Sequence, residues 1–160
     1  MDAITAKLEP EKTVLKLLAL PGIFRIQAKK GITRALIAAA DKVTEAITQN
    51  KYGVKTRTGR LRASFQPQGE GNIFSILESK SGILGKIGSN VKYAAIQERG
   101  GIVKAKNVKY LKFQIEGRWI SKKQVTIPAH YYVRNTLLDN KDFFARTAMR
   151  EIMRGIQSGK

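Results

Sequence analysis

Apolar positions in this chain change their spacing twice, and the changes divide it into three stretches. Between residues 22 and 50 they recur at three- and four-residue steps. Ile32, Leu36, Ala39, Val43 and Ile47 line up as one stripe, which predicts an amphipathic helix. Ala38, Ala39 and Ala40 add helix propensity, Lys29, Lys30, Arg34, Lys42 and Glu45 fall on the polar side, and Asn50 to Gly53 closes the element. Upstream, Leu20-Pro21-Gly22 interrupts a shorter helical turn from about Thr13 to Leu20, so 13–50 reads as helical overall. Residues 1–12 are polar and read as loosely ordered.

From about residue 57 to residue 127 the period becomes two, the signature of a sheet with one covered face. Ile73 to Glu78 and Ile83 to Ile87 read as strands separated by Ser79-Lys80-Ser81-Gly82, with Gly69-Glu70-Gly71-Asn72 as an earlier turn. Leu111, Phe113 and Ile115 share one strand face, and Glu116-Gly117 is a hairpin turn leading into Arg118-Trp119-Ile120. Residues 93–99 fit a short helical turn stopped by Gly100-Gly101. Val125-Thr126-Ile127-Pro128 is a strand ended by a proline, which lacks a ladder donor and holds the preceding residue extended. Residues 131–157 return to a helical period: Tyr132 to Leu138, then a second helix capped by Asp139 or Asn140 with Phe144, Ala148, Ile152 and Ile156 on one face, fraying at Gly155 and Gly159. With no repeat and no linker, residues 1–160 read as a single α+β domain: a long N-terminal helix and C-terminal helices packed on a small antiparallel β-sheet.

Charge changes this picture more than composition does. Thirty Lys and Arg against twelve Asp and Glu give +18, which predicts attraction to polyanions. The absence of cysteine excludes disulfides and thiolate metal sites and fits a reducing compartment. No apolar run approaches the roughly 20 residues of a membrane helix, and Asp2, Glu9 and Glu11 are unlike a signal peptide, so the expected site of synthesis and assembly is the cytoplasm.

Catalytic chemistry finds few residues to use. His130 is the only histidine and has no orienting partner or nucleophile in sequence, so it reads as structural. No serine lies in a nucleophile elbow. Glu9 and Glu11, like Asp139 and Asp142, read as solvated or capping carboxylates, without the spacing of a calcium loop. Gly85-Lys86-Ile87-Gly88-Ser89 lacks the full phosphate-loop spacing and reads as a strand ending in a turn. No enzyme, cofactor or metal site is expected. Basic residues instead gather in two stretches: Lys51, Lys55, Arg57, Arg60 and Arg62, and then Arg99 to Arg134, where Tyr110, Trp119, Tyr131 and Tyr132 are interleaved. Such a surface suits nucleic acid or an acidic protein, and equally the solvated side of a half-covered sheet. Trp119, Phe113 and Tyr132 are expected as core or interface aromatics, the core first.

Three segments in order carry a resemblance. They are Thr58-Gly59-Arg60-Leu61-Arg62-Ala63-Ser64 after the long helix, Ile87-Gly88-Ser89-Asn90-Val91-Lys92-Tyr93-Ala94 running on to Gly100-Gly101, and Tyr110-Leu111 followed by Trp119 and by Val125-Thr126-Ile127-Pro128-Ala129-His130-Tyr131-Tyr132. Over roughly residues 20 to 138 this resembles the phage virion morphogenesis family of tail completion proteins and, more loosely, the head–tail joining neck proteins of tailed phages. His130 and Tyr131 stand where that family usually has Arg-Pro. The resemblance implies a non-enzymatic virion protein that forms a ring, commonly a hexamer, at the head-proximal end of the tail. Its partners would be copies of itself, the tail tube or terminator and the head connector, with non-specific contact to DNA in the channel. The residues expected at such interfaces are Arg57, Arg60, Arg62, Lys86, Lys92, Tyr93, Arg99, Lys104, Lys106, Lys122, Lys123, His130 and Tyr131. The alternative is a small basic architectural protein that binds nucleic acid by itself.

Overall fold

The computed structural model describes residues 4–8, 22–55, 58–79 and 82–158, and for 4–8 the backbone only. The expected helical turn at 13–20 and the side chain of Arg57 lie outside these residues. The architecture is α+β, built from one long helix, two C-terminal helices and small antiparallel sheets.

Helix α1 runs from Gly22 to Thr48, 27 residues or about 40 Å. The stripe read from the sequence is its buried face: Leu36, Ala39, Val43 and Ile47 are buried and Ile32 packs against them. That face lies on a three-stranded sheet of order β1-β3-β2, formed by Ile4–Leu8, Asn72–Ser79 and Gly82–Ser89. Strand β1 corrects the expectation of a loosely ordered terminus. Ile4-Thr5-Ala6-Lys7-Leu8 alternates with period two and pairs along its whole length with β3, from Ile4 opposite Ser89 to Leu8 opposite Gly85. The alternation is five residues long, too short to stand out beside the polar residues that follow.

Along β3, Ile83, Gly85, Ile87 and Ser89 are buried, while Leu84 and Lys86 are half-buried on the opposite face. Gly85 has a specific packing role. A Cβ there would stand 2.5–2.9 Å from three carbons of the Leu36 side chain, so the glycine makes the hollow that seats Leu36. The phosphate-loop-like string at 85–89 is therefore a strand built for helix packing.

The C-terminal helices, α4 (Tyr132–Asp139) and α5 (Lys141–Gln157), close the other side of α1. Asn140 stands at the N-cap position of α5, yet its side chain makes no cap bond: its Nδ2 donates 2.8 Å to the Thr136 carbonyl and so finishes α4. Phe144 and Ile152 are buried, with Ala148 and Ile156 beside them. Gly155 does not mark fraying. It lies within α5, where a Cβ would come within 1.9 Å of Gln27 Oε1, and it lets the helices approach. Gly31 on α1 does the same, since a Cβ there would meet Ile152 Cγ1 at 2.6 Å and the Ala148 carbonyl oxygen at 2.7 Å. The α1–α5 crossing is thus set by two glycines and by Ala28 and Ala35.

The remaining strands, β4 (Gly101–Lys104), β5 (Leu111–Ile115), β6 (Arg118–Lys122) and β7 (Gln124–Ile127), form two separate ribbons, β4 with β7 and β5 with β6. The expected hairpin turn is present, with Glu116 and Gly117 at φ 49° and 80°. These ribbons nest into one arm, and no residue from Gly101 to Ile127 is buried. Trp119 is 74% exposed, which corrects its placement in the core. Phe113 is half-buried and shares a ribbon face with Ile120. Tyr132 is buried as expected, edge-on to Phe65 with ring centroids 6.1 Å apart.

Two outcomes follow for stability. Gly31→Ala gains about 1 kcal/mol of helix propensity but meets a backbone carbonyl that cannot turn aside, and overpacking of this kind costs roughly 1–3 kcal/mol. Thermal unfolding should show a lower midpoint for Gly31→Ala and an unchanged or higher one for Gly22→Ala, whose Cβ meets nothing within 4 Å. The Tyr132 hydroxyl is buried without a hydrogen-bond partner, and burial, reinforced by the nearby negative charge of Glu98, holds the phenol neutral far above its ordinary range. Tyr132→Phe removes that orphaned group and keeps the ring contact, so its midpoint should equal or exceed that of the parent chain.

Candidate functional site

The first two motifs are joined by hydroxyl groups. The chain turns from Gly59, at φ 71°, into the single-turn helix α2 (Arg60–Ala63). Leu61 points into the core and Ser64 is fully buried. The Val91 N–H donates to Ser89 Oγ at 3.1 Å, Ser89 and Ser64 share a 2.7 Å hydrogen bond, and Ser64 Oγ donates to the Leu61 carbonyl at 2.7 Å. With one proton per hydroxyl, the donors run in one direction, from Val91 through Ser89 and Ser64 to Leu61. Asn72 Nδ2 adds a bond to the Ser64 carbonyl at 3.0 Å.

The second and third motifs are joined by a carboxylate. Helix α3 (Ala94–Arg99) buries Glu98, which accepts from the Val133 N–H at 2.9 Å and the Arg134 N–H at 3.0 Å. These are free donors of the first turn of α4, which has no acid of its own and whose N-cap residue, Tyr131, provides no side-chain bond. An anion from another element therefore caps this helix, and the helix dipole favours it. Backbone bonds flank the cap, from the His130 N–H to the Gln97 carbonyl and from the Tyr131 N–H to the Glu98 carbonyl. Tyr131 holds φ 48°, the cost of a sharp entry into α4.

His130 is engaged inside the fold. Its Nδ1 lies 2.9 Å from the Tyr52 carbonyl, which fixes Nδ1 as the donor, and its ring lies against Gly53, at φ 82°. Nearby, the Tyr52 hydroxyl and Lys51 Nζ both reach Asp139 Oδ2, at 2.7 and 3.0 Å. The Tyr52 bond first, and then the lysine, hold the Asp139 carboxyl below its ordinary range. The C-terminal turn of α1 is thereby tied to both ends of α4.

Where the first two motifs converge on the end of α1, an open cavity of about 360 Å³ remains. Ile47 and Val54 come from the end of α1 and its loop, Thr58, Gly59 and Leu61 from the first motif, and Tyr93 and Gln97 from the second. Lys55 completes the wall. Such a lining suits an apolar side chain entering beside Tyr93, which is 40% exposed. Its titratable members are Lys55 and Tyr93, which do not form a nucleophile–base pair. Among the described residues no three His, Asp or Glu gather as metal ligands.

The expected interface residues fall into separate groups. Arg60 and Arg62 are exposed on α2, with Arg60 paired to Glu70; Lys92 and Tyr93 enter α3, and Arg99 ends it. Tyr131 is exposed beneath the Arg134 guanidinium, 5.8 Å from its ring centroid. Lys86 is apart from them, half-buried on the sheet face turned away from α1 and opposite Ser75. Lys104, Lys106, Lys122 and Lys123 belong to the arm. Sequence reasoning missed Glu98, Ser64 and Ser89 as the groups that bring the motifs together. One signal was present for Glu98: it is the only acid between Glu78 and Glu116. No family model, curated protein or solved structure matches the chain.

The Glu98 cap sets an expectation. Glu98→Ala orphans two backbone donors at a part-buried helix end and should cost about 2–4 kcal/mol, while Glu98→Gln keeps one acceptor and should cost less. Urea unfolding measures both, and equal stability of all three chains would show that the cap is not needed.

Proposed function

We propose that this chain is a structural virion protein of a tailed phage, a tail completion or neck protein that closes into a ring at the head-proximal end of the tail and joins it to the head connector. One observation carries the reading: the first two of the segments that resemble that family, distant in sequence, line one open apolar cavity, and the His130–Tyr131 end of the third is bonded to the second beside it. A cavity on one patch that receives a side chain from a different patch of the next copy is a head-to-tail contact, and head-to-tail contacts that close give rings. Leu61 and Val54 at its base are buried and Tyr93 at its mouth is exposed, so the partner's apolar group is desolvated on entry while Arg60 and Arg62 stand beside it. Copies that each carry +18 repel one another, and acidic neighbours in the particle or enclosed DNA offset that repulsion.

The alternative, a stand-alone architectural binder of nucleic acid, draws on the same charge but requires no ring. Native mass spectrometry of the purified chain, with and without tail components, separates the two. Rings that Tyr93→Asp converts to monomers, with an unchanged circular dichroism spectrum, are the expected result. A chain that stays monomeric under all these conditions, and that electron microscopy does not locate at the virion neck, would overturn the reading.

A further inference from the structure

The arm from Gly101 to Ile127 joins the body at its root, and none of its residues is buried. Gly100, at φ 71°, forms the root: a Cβ there would stand 2.7 Å from the Ala129 nitrogen and 2.9 Å from the Ile127 carbonyl oxygen, so the outgoing and returning strands touch backbone to backbone. Beyond that point β4 pairs with β7 and β5 with β6, and the Ala105 N–H bonds to the Lys123 carbonyl at 3.0 Å. Two-stranded ribbons are marginal when nothing covers them. This one exposes Ile102, Val108, Tyr110, Ile115 and Trp119, and it bears six lysines and one arginine against a single glutamate.

The cations lie on both faces. Arg118 and Lys122 share a face with Phe113 and Ile120, whereas Lys112 lies on the other with Gln114 and Trp119. A protein interface buries one face and is depleted of lysine. A second copy of this chain is also a poor partner by charge. Among the described residues, Glu45, Glu70, Glu78, Asp139 and Glu151 already form ion pairs within the chain, and Glu98 is buried as a helix cap. Asp41, Glu116 and Asp142 alone among the described acids remain without an ion pair or a buried role, too few to neutralise the arm. A ribbon with cations on two sides matches a polyanion that surrounds it, and the major groove of duplex DNA, about 12 Å wide with phosphates on both walls, admits a two-stranded ribbon.

We propose that this arm is a DNA-gripping element: it lies in a groove of duplex DNA, its lysines and Arg118 on the phosphates of both walls and Trp119 against the groove floor. Contact is independent of base sequence, and it does not require that copies close into a ring.

Trp119 is the only tryptophan, so its fluorescence reports from the arm alone. The test titrates the full chain with a 30-base-pair duplex of arbitrary sequence, reading anisotropy of labelled DNA and Trp119 emission at low and moderate salt. Binding should weaken roughly a thousandfold between 50 and 200 mM salt, as about six phosphate contacts require, with Trp119 emission changing in step. The triple variant Lys112→Glu, Arg118→Glu, Lys122→Glu should lose about three units of salt slope, and an arm cut back to Ala105–Asn–Gly–Lys123, which removes five cations, about four to five. A body control, Lys30→Glu, Arg34→Glu, Arg150→Glu, should keep the slope and the emission change. Arm variants that bind like the parent while the body control fails would overturn the proposal. Equal binding to polyglutamate would also overturn it, in favour of an acidic protein. Native mass of the same samples reads the ring separately, so failure of one idea is not mistaken for failure of the other.

Discussion

The seating of one helix governs everything else in this molecule. Leu36 sits in the hollow that Gly85 leaves in the sheet, and ten residues of α1 are buried in all. On its other side α1 approaches α5 so closely that Gly31 and Gly155 have no room for a Cβ. Small residues at such a crossing forgo side-chain burial, but they let the ridges of both helices pack at core density. Because α1 is fixed on both sides, its last turn is fixed too, and Ile47 and Val54 are delivered to the wall of the cavity. Lys51 and Tyr52 hold the end of α4 there through Asp139. The surface pairs, such as Lys29 with Glu78, add little by comparison, since exposed ion pairs contribute about 0–1 kcal/mol.

Acids in this chain work inward. Of those in the body, one caps a helix from another element and five are paired with neighbouring cations. The large positive balance itself is compositional, thirty Lys and Arg against twelve Asp and Glu. Because most described acids are already engaged in the body, no cation of the arm forms an ion pair among the described residues. Solubility and reach toward polyanions then have the same origin.

How legible this was in the sequence depended on the range of the interaction. Periodicity revealed α1 and α5, because each buries a stripe along its own length. It revealed the turn at Glu116-Gly117, because two consecutive residues at positive φ favour glycine. It did not place Trp119, because alternation says that a strand has two faces and not whether anything covers either one; in the arm the Trp119 face, with Lys112, Gln114 and Ser121, is open. The basic stretch from Arg99 to Arg134 was visible as a composition, but its division between an arm and a helix entry depends on β4 pairing with β7 across nineteen residues of intervening chain. Lys86 was grouped with Lys92 and Arg99 by nearness in sequence, and strand alternation sends it to the other side of the sheet. Ser64 and Ser89 are ordinary serines until the fold brings their hydroxyls to 2.7 Å.

The arm and the cavity differ in a way that bears on assembly. The cavity is rigid by construction: the hydroxyl chain, the Glu98 cap and the His130–Tyr52 bond hold its walls from three directions. A rigid receptor loses little entropy when it is filled, which suits a contact repeated identically around a closed assembly. The arm leaves the body at one glycine root and bears cations on both ribbon faces, which suits a ligand of uniform charge and variable position. The two elements therefore answer different physical demands, register for the first and tolerance for the second. The Gly100 root separates them, so the packing around the cavity involves no residue of the arm.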